Sequence, residues 1–237
     1  TSRGVAFSGL KQLENALLCF DRAHAIAPND VTIMISRNAA LNRLKHFTLA
    51  MESLKQLVKD FPNDAEAFCE LGNSYLGLRQ IELAQDAYLE CLRIAPENAS
   101  ALTNLGAVQS RLGMHNEALD YHKKAVNLDP YNATAFYNLG MALQALGRTD
   151  ESVTSFSKAI HLDHGFTEPY LGRASVYLSN HKLDFALADL TSALKLNPDL
   201  DLASGLKVHT QMMFCDWLNL EEDIQFVVNR VQNGYMP

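Results

Sequence analysis

Residue size and polarity recur along the chain with a fixed period. One register carries Gly4, Asn38, Gly72, Gly106, Gly140 and Ala174, and a second carries Ala16, Ala50, Ala84, Ala118, Ser152 and Ala186. A third holds Ala23, Leu57, Cys91, Ala125, Ala159 and Ala193. Between the second and third lies a bulky register of Phe20, Leu54, Tyr88, His122, Phe156 and Leu190. Successive members lie 34 residues apart, as do Pro28, Pro62, Pro96 and Pro130; after a gap at His164 the prolines resume at Pro198. Each period reads as two antiparallel helices. The small residues let the helices approach closely, and the bulky one fills the space between neighbouring repeats. Proline cannot continue the second helix and so stops it. Asp30, Asp64, Asn98 and Asn132 follow two residues later and suit the N-cap of the next helix. Gly113 and Gly147 suit the left-handed conformation that ends a first helix. At His164-Gly165-Phe166 the proline is missing and Pro169 falls in the next first turn, so the spacing predicts a local irregularity there. The unit containing Arg37, Asn38 and Leu57 follows the pattern least well.

A 34-residue period with these positions resembles the tetratricopeptide repeat (TPR). The resemblance implies an all-α fold, a right-handed superhelix of six helix-turn-helix repeats over residues 1–200 with the first repeat shortened. In such an α-solenoid each repeat packs only on its neighbours, and the first helices line a concave groove. Residues 201–237 leave the pattern and read as a capping helix and a linker helix. In the first, over 201–213, Leu202, Leu206, His209 and Met213 share a face. Asn219 followed by Glu222 looks like a capping arrangement, and the second helix runs to about Asn233 before Gly234. Its stripe of Leu220, Ile224, Val227, Val228 and Val231 requires burial, either back on the array or on a following domain.

The stretch Gln211-Met212-Met213-Phe214-Cys215-Asp216-Trp217, then Leu220-Glu221, Val227-Val228 and Val231 through Gly234 to Pro237, resembles the junction of O-GlcNAc transferase-like (SPINDLY-like) glycosyltransferases. In that family a TPR superhelix precedes a two-lobed catalytic region that uses a nucleotide sugar. The resemblance implies that this chain is the substrate-recognition region of such an enzyme. The UDP-sugar is implied for the parent alone; no catalytic residue and no cofactor is assigned to this chain. In the same family, asparagines at the sixth repeat position hold extended peptide backbone, since an amide donates and accepts at once. Asn104 and Asn138 match that position; Ser36, Glu70 and Gly172 depart from it. Asn73, Thr103, Tyr137, Arg111 and Gln144 complete the groove candidates. The TPR clamp for acidic C-termini needs lysines and an arginine. Cys69, Thr134 and Asn138 stand at the corresponding positions, so that chemistry is not expected. The expected partners are a protein or peptide in the groove, and a catalytic region or another protein on the tail helix. The rival reading is a stand-alone TPR scaffold that assembles partner proteins.

Composition narrows the class without adding chemistry. Hydrophobic residues at 48% and charged residues at 20% suit a folded protein. The net charge of −7 argues against nucleic acid or an acidic membrane as partner. No apolar run approaches the ~18 residues of a membrane span, and no signal core follows the N-terminus. Cys19, Cys69, Cys91 and Cys215 are irregularly spaced and read as reduced packing thiols of a cytoplasmic protein. Arg3, Arg37 and Arg173 share the seventh repeat position and read as packed stems with their heads in water. Asn197-x-Asp199-x-Asp201 lacks the glycine of a calcium loop and reads as inter-helix capping. Asn98-Ala99-Ser100 and Asn132-Ala133-Thr134 match the glycosylation sequon but read as helix caps. His115 and His122 lie seven apart, with His122 at a packing position, so no metal site is expected. There is no phosphate loop, H-E-x-x-H or G-x-S-x-G pattern, and the chain is not expected to be an enzyme. The start at Thr1 without methionine and the stop at Pro237 read as two ends of a cut piece.

Overall fold

The computed structural model describes residues 10–214 and 220–232, which form thirteen helices and no strand. They are α1 (Leu10–Ile26), α2 (Val31–Arg43), α3 (Phe47–Asp60), α4 (Ala65–Gly77), α5 (Ile81–Ile94), α6 (Ala99–Arg111), α7 (His115–Leu128), α8 (Ala133–Ala145), α9 (Thr149–Leu162), α10 (Thr167–Ser179), α11 (Leu183–Leu196), α12 (Asp201–Phe214) and α13 (Leu220–Gln232). Two compact units divide the chain, Thr1–Met114 with α1 to α6 and His115–Pro237 with α7 to α13. Arg3, Gly4, Cys215, Asp216, Trp217, Asn219, Gly234 and Pro237 lie outside the described residues. None of the described helices is long and apolar enough to cross a membrane.

From α2 to α11 the helices alternate between 13 and 14 residues and keep the sequence period. Their boundaries follow from local chemistry. The carboxylates of Asp30 and Asp64 accept from the N–H groups of Ile33 and Ala67 at 3.2 and 2.9 Å. The amide oxygens of Asn98 and Asn132 accept from Ala101 and Ala135 at 2.9 and 3.0 Å. Each cap satisfies one of the backbone donors that a helix start leaves open. The irregularity expected at His164 is chemical and not geometric. Phe166 offers no capping side chain, yet α10 keeps its place. Asp163 Oδ1 accepts from the Gly165 N–H at 2.9 Å and braces the turn. Pro169 is buried in the first turn of α10.

The turn from first to second helix places one residue in the left-handed region. Gly113 and Gly147 occupy it at φ 77° and 71°, and Lys45, Arg79 and His181 do so at 62°, 60° and 56°. A Cβ is strained there.

Packing rests on the small and bulky registers. A Cβ built on Gly72 in α4 would lie 2.5 Å from the Tyr88 ring of α5. Gly140 and Gly172 stand in the same relation to Phe156, each at 2.7 Å. Both rings are fully buried. Where the small register widens to Ala174, the bulky one shrinks to Leu190, and the two share a cluster with Ala203. Ser152 donates to the Gly140 carbonyl at 2.8 Å. Asn38 is fully buried in its degenerate repeat, its amide donating to the Met34 carbonyl at 2.9 Å and to Ser53 Oγ at 3.0 Å.

The last helix packs within the tail, and only part of the expected stripe is turned inward. α12 packs on α11, and α13 packs on α12. The inward side of α13 carries buried Leu220 with half-buried Asp223, Val227 and Arg230. Lys207 Nζ meets Asp223 at 2.7 Å, and Gln211 donates to Asp223 at 3.0 Å. Arg230 binds Asp201 at 2.5 Å and Asp199 at 2.8 Å. The ion pairs fix the rotation of the helix, and Ile224, Val228 and Val231 of the expected stripe are left exposed. In α12 the buried residues are Ala203, Ser204, Thr210 and Gln211, whereas Leu202, His209 and Met213 face outward. The Asn197 segment caps as expected, with Asn197 Oδ1 accepting from the Asp199 N–H at 3.1 Å. Its two carboxylates hold Arg230.

Gly72→Ala should cost about 1–3 kcal/mol in urea unfolding, because the ring opposite cannot retreat. Adding Tyr88→Leu should recover part of that loss, as the Ala174–Leu190 pairing indicates. Conversely, Lys45→Gly, Arg79→Gly and His181→Gly should each raise stability by about 0.5–1 kcal/mol in the same assay.

Candidate peptide-binding surface

In the first unit the candidates converge on one phenol. Tyr88 reaches past Gly72, and its hydroxyl donates to Asn73 Oδ1 at 2.7 Å. Asn104 Nδ2 donates to the same oxygen at 2.8 Å, and the Asn104 amide also hydrogen-bonds the phenol. Burial above all holds the Tyr88 hydroxyl protonated far above its ordinary range. The amides of α4 and α6 are thereby oriented by a residue of α5. Asn104 Oδ1 and Asn73 Nδ2 have no side-chain partner among the described residues, so one acceptor and one donor of these half-buried amides remain uncommitted. Arg111 is exposed and close enough for its charge to be felt at Tyr88. Thr103 is buried, and its hydroxyl donates to the Ala99 carbonyl at 2.8 Å within its own helix.

The second unit holds the remaining candidates. Asn138 is half-buried in α8 with no side-chain hydrogen bond among the described residues. Tyr137 packs tilted against Phe156 and edge-on against Phe166, with ring centroids 5.9 and 5.4 Å away. Burial, then the charge of Glu168, raises its phenol above the ordinary value. Gln144 of α8 donates to Ser175 of α10 at 3.2 Å. Gly172 stands where an asparagine was sought, and the Phe156 ring explains it, since that ring fills the space a side chain would need.

Other polar groups escaped the sequence reading. Buried Asn42 donates to the Glu70 carbonyl and carboxylate at 2.9 and 2.8 Å and accepts from Ser74 at 2.8 Å. Glu70 is thus committed to a bond between repeats. Arg173 corrects the expectation of a head in water. It forms a two-pronged ion pair with buried Asp189 at 2.8 and 2.7 Å and donates to Ser157 at 2.7 Å. Arg37 likewise meets Asp21 at 2.6 Å. An acid at the matching place of a facing helix is the signal that would have found both pairs.

Paired helices on a 34-residue lattice, with polar side chains shared between successive first helices, define a helical-repeat protein. Residues 65–154 carry tetratricopeptide repeats: two models of that repeat match residues 65–130 and 123–154. No curated protein sequence matches the chain. Among solved structures, the anaphase-promoting complex assembly Cut9-Hcn1 is similar at a TM-score of 0.81 and 19% identity. That match covers 87% of this chain but 41% of the other. YrrB, described as a TPR protein with an unusual peptide-binding site, is similar at a TM-score of 0.61 and 25% identity, over 79% of this chain and 97% of that one. TTC0263, a TPR protein of Thermus thermophilus, is similar at a TM-score of 0.65 and 24% identity, over 74% and 95%. These matches bear on the repeats. The glycosyltransferase junction rests on the sequence resemblance alone.

His122 takes the packing role expected at its register. It is 1% exposed, its Nδ1 has no partner, and burial lowers its pKa to about 4. The depressed folded value means that protons favour the unfolded chain. This stability is complete above the ordinary value of 6.5 and is lost as pH falls toward 4. Relative to His122→Phe, the wild type should lose about 3 kcal/mol between pH 7 and pH 4 in urea unfolding monitored by circular dichroism.

Proposed function

We propose that the chain is a non-catalytic protein-binding module that holds extended peptide backbone on its first helices. The observation that carries this reading is the Asn73–Tyr88–Asn104 cluster, whose internal bonds leave one acceptor and one donor uncommitted on half-buried amides. A peptide backbone offers the complementary pair every residue, so such a surface binds with little regard for side chains. In the second unit, half-buried Asn138 carries the same two groups. The peptide-binding site named for YrrB supports the reading by analogy.

A narrower proposal is that the module selects substrates for an O-GlcNAc transferase-like enzyme. It is supported by the residues from Gln211 to Trp217, of which Cys215, Asp216 and Trp217 lie outside the described residues. A free-standing scaffold is favoured by the near-complete coverage of YrrB, a protein built of the same repeats. The coding sequence past Pro237 separates the two. Several hundred further residues with nucleotide-sugar motifs support the enzyme, and a stop codon supports the scaffold.

A peptide array supplies the probe for the binding reading. With the best peptide, Asn104→Ala should weaken binding about fivefold or more in a fluorescence titration, from about 1 kcal/mol for a lost hydrogen bond. Asn138→Ala should do the same if its unit is engaged. Unchanged affinity in the double variant would sink the proposal.

A further inference from the structure

Two thiols of the first unit face each other inside a single repeat. Cys69 lies in α4 and Cys91 in α5, and both are buried at 5% and 0% exposure. The helices are antiparallel neighbours. Their register is set by Gly72, whose built Cβ would lie 2.5 Å from the Tyr88 ring. Three residues back along α4 and three forward along α5 bring Cys69 opposite Cys91. The packing of the two helices and this register place the two sulfurs within reach of each other. Of the described repeats, this one alone has cysteine at both places: the lattice puts Ile35 and Leu57, Thr103 and Ala125, Tyr137 and Ala159, and Leu171 and Ala193 at the equivalent pairs. Both thiols are free.

We propose that Cys69 and Cys91 form an intramolecular disulfide when the chain meets a low-molecular-weight disulfide, cross-linking the two helices that carry Asn73 and Tyr88. Either thiol can attack first, and the chemistry is the same with Cys91 taken as the attacking sulfur. Its thiolate attacks the oxidant, a mixed disulfide forms at Cys91, and one small thiolate leaves. The Cys69 thiol then gives up its proton, its sulfur attacks the Cys91 sulfur, and the second small thiolate leaves. The two protein thiols lose two electrons and two protons. The oxidant's S–S bond takes up the electrons, and the two protons go to the released thiolates. Because both sulfurs are buried, the first attack requires the α4–α5 pair to open locally, so cross-linking is slow in the folded chain and faster in sub-denaturing urea.

The test uses the full chain carrying Cys19→Ser and Cys215→Ser. It is incubated with oxidised glutathione, unfolded in N-ethylmaleimide and digested for mass mapping. The expected product is one peptide pair joined through Cys69 and Cys91, released by dithiothreitol, in a protein melting several degrees above its reduced form. Low concentrations of urea should accelerate its formation. Recovery of both cysteines as maleimide adducts after prolonged oxidation, or as separate glutathione adducts, would overturn the proposal. The mapping reads these outcomes directly and does not depend on whether Cys69→Ser or Cys91→Ser folds.

Discussion

The contact between a glycine on a first helix and an aromatic ring on a second governs the rest of the structure. Gly72 and Tyr88 make it in the first unit, and Gly140, Gly172 and Phe156 in the second. Removing a side chain from one helix lets the partner's ring lie almost against the backbone, which buries a large apolar area at a short interaxial distance. The Ala174–Leu190 pairing shows the same rule at a different split of volume. A repeat array has no central core, so this contact must recur in each unit to hold it.

The same contact decides where polar chemistry can stand. In the first unit the ring is a tyrosine, and its hydroxyl emerges between Asn73 and Asn104. A packing residue thereby orients two surface amides. In the second unit the equivalent ring is Phe156, which has no hydroxyl to donate. It lies so close to Gly172 that no amide could stand there. The second unit differs at all three places: Met141, Phe156 and Gly172 stand where Asn73, Tyr88 and Asn104 make the polar cluster.

Much of this was legible because the repeat chemistry is local. Caps, turn glycines and terminating prolines act within a few residues, and Asp30, Asp64, Asn98 and Asn132 bond as their positions imply. Asn104 and Asn73 were legible as surface amides. Their mutual bond was not, since it depends on the distance between successive first helices and on Tyr88. The heads of Arg37 and Arg173 were misread because their acids lie sixteen residues away on another helix. The face of α13 was legible only in Leu220 and Val227, for a related reason. A stripe of apolar residues records a tendency to be buried, whereas its rotation depends on which charges lie opposite.

That last case shows how the tail differs from the array. The interlock of small and bulky residues ends with Ala174, Leu190 and Ala203. Beyond it, α13 is held chiefly by Arg230 on Asp199 and Asp201 and by Lys207 on Asp223. Arg230 is 18% exposed while the carboxylate of Asp199 is 79% exposed, so part of this attraction is screened by water and salt. A helix attached this way is oriented more strictly than it is stabilised, because ion pairs demand geometry and return little free energy at a surface. The consequence is an apolar row of Ile224, Val228 and Val231 on the outer side, where a capping helix of a repeat array would carry polar residues. The charges that dock α13 are therefore also what keeps its apolar row facing outward.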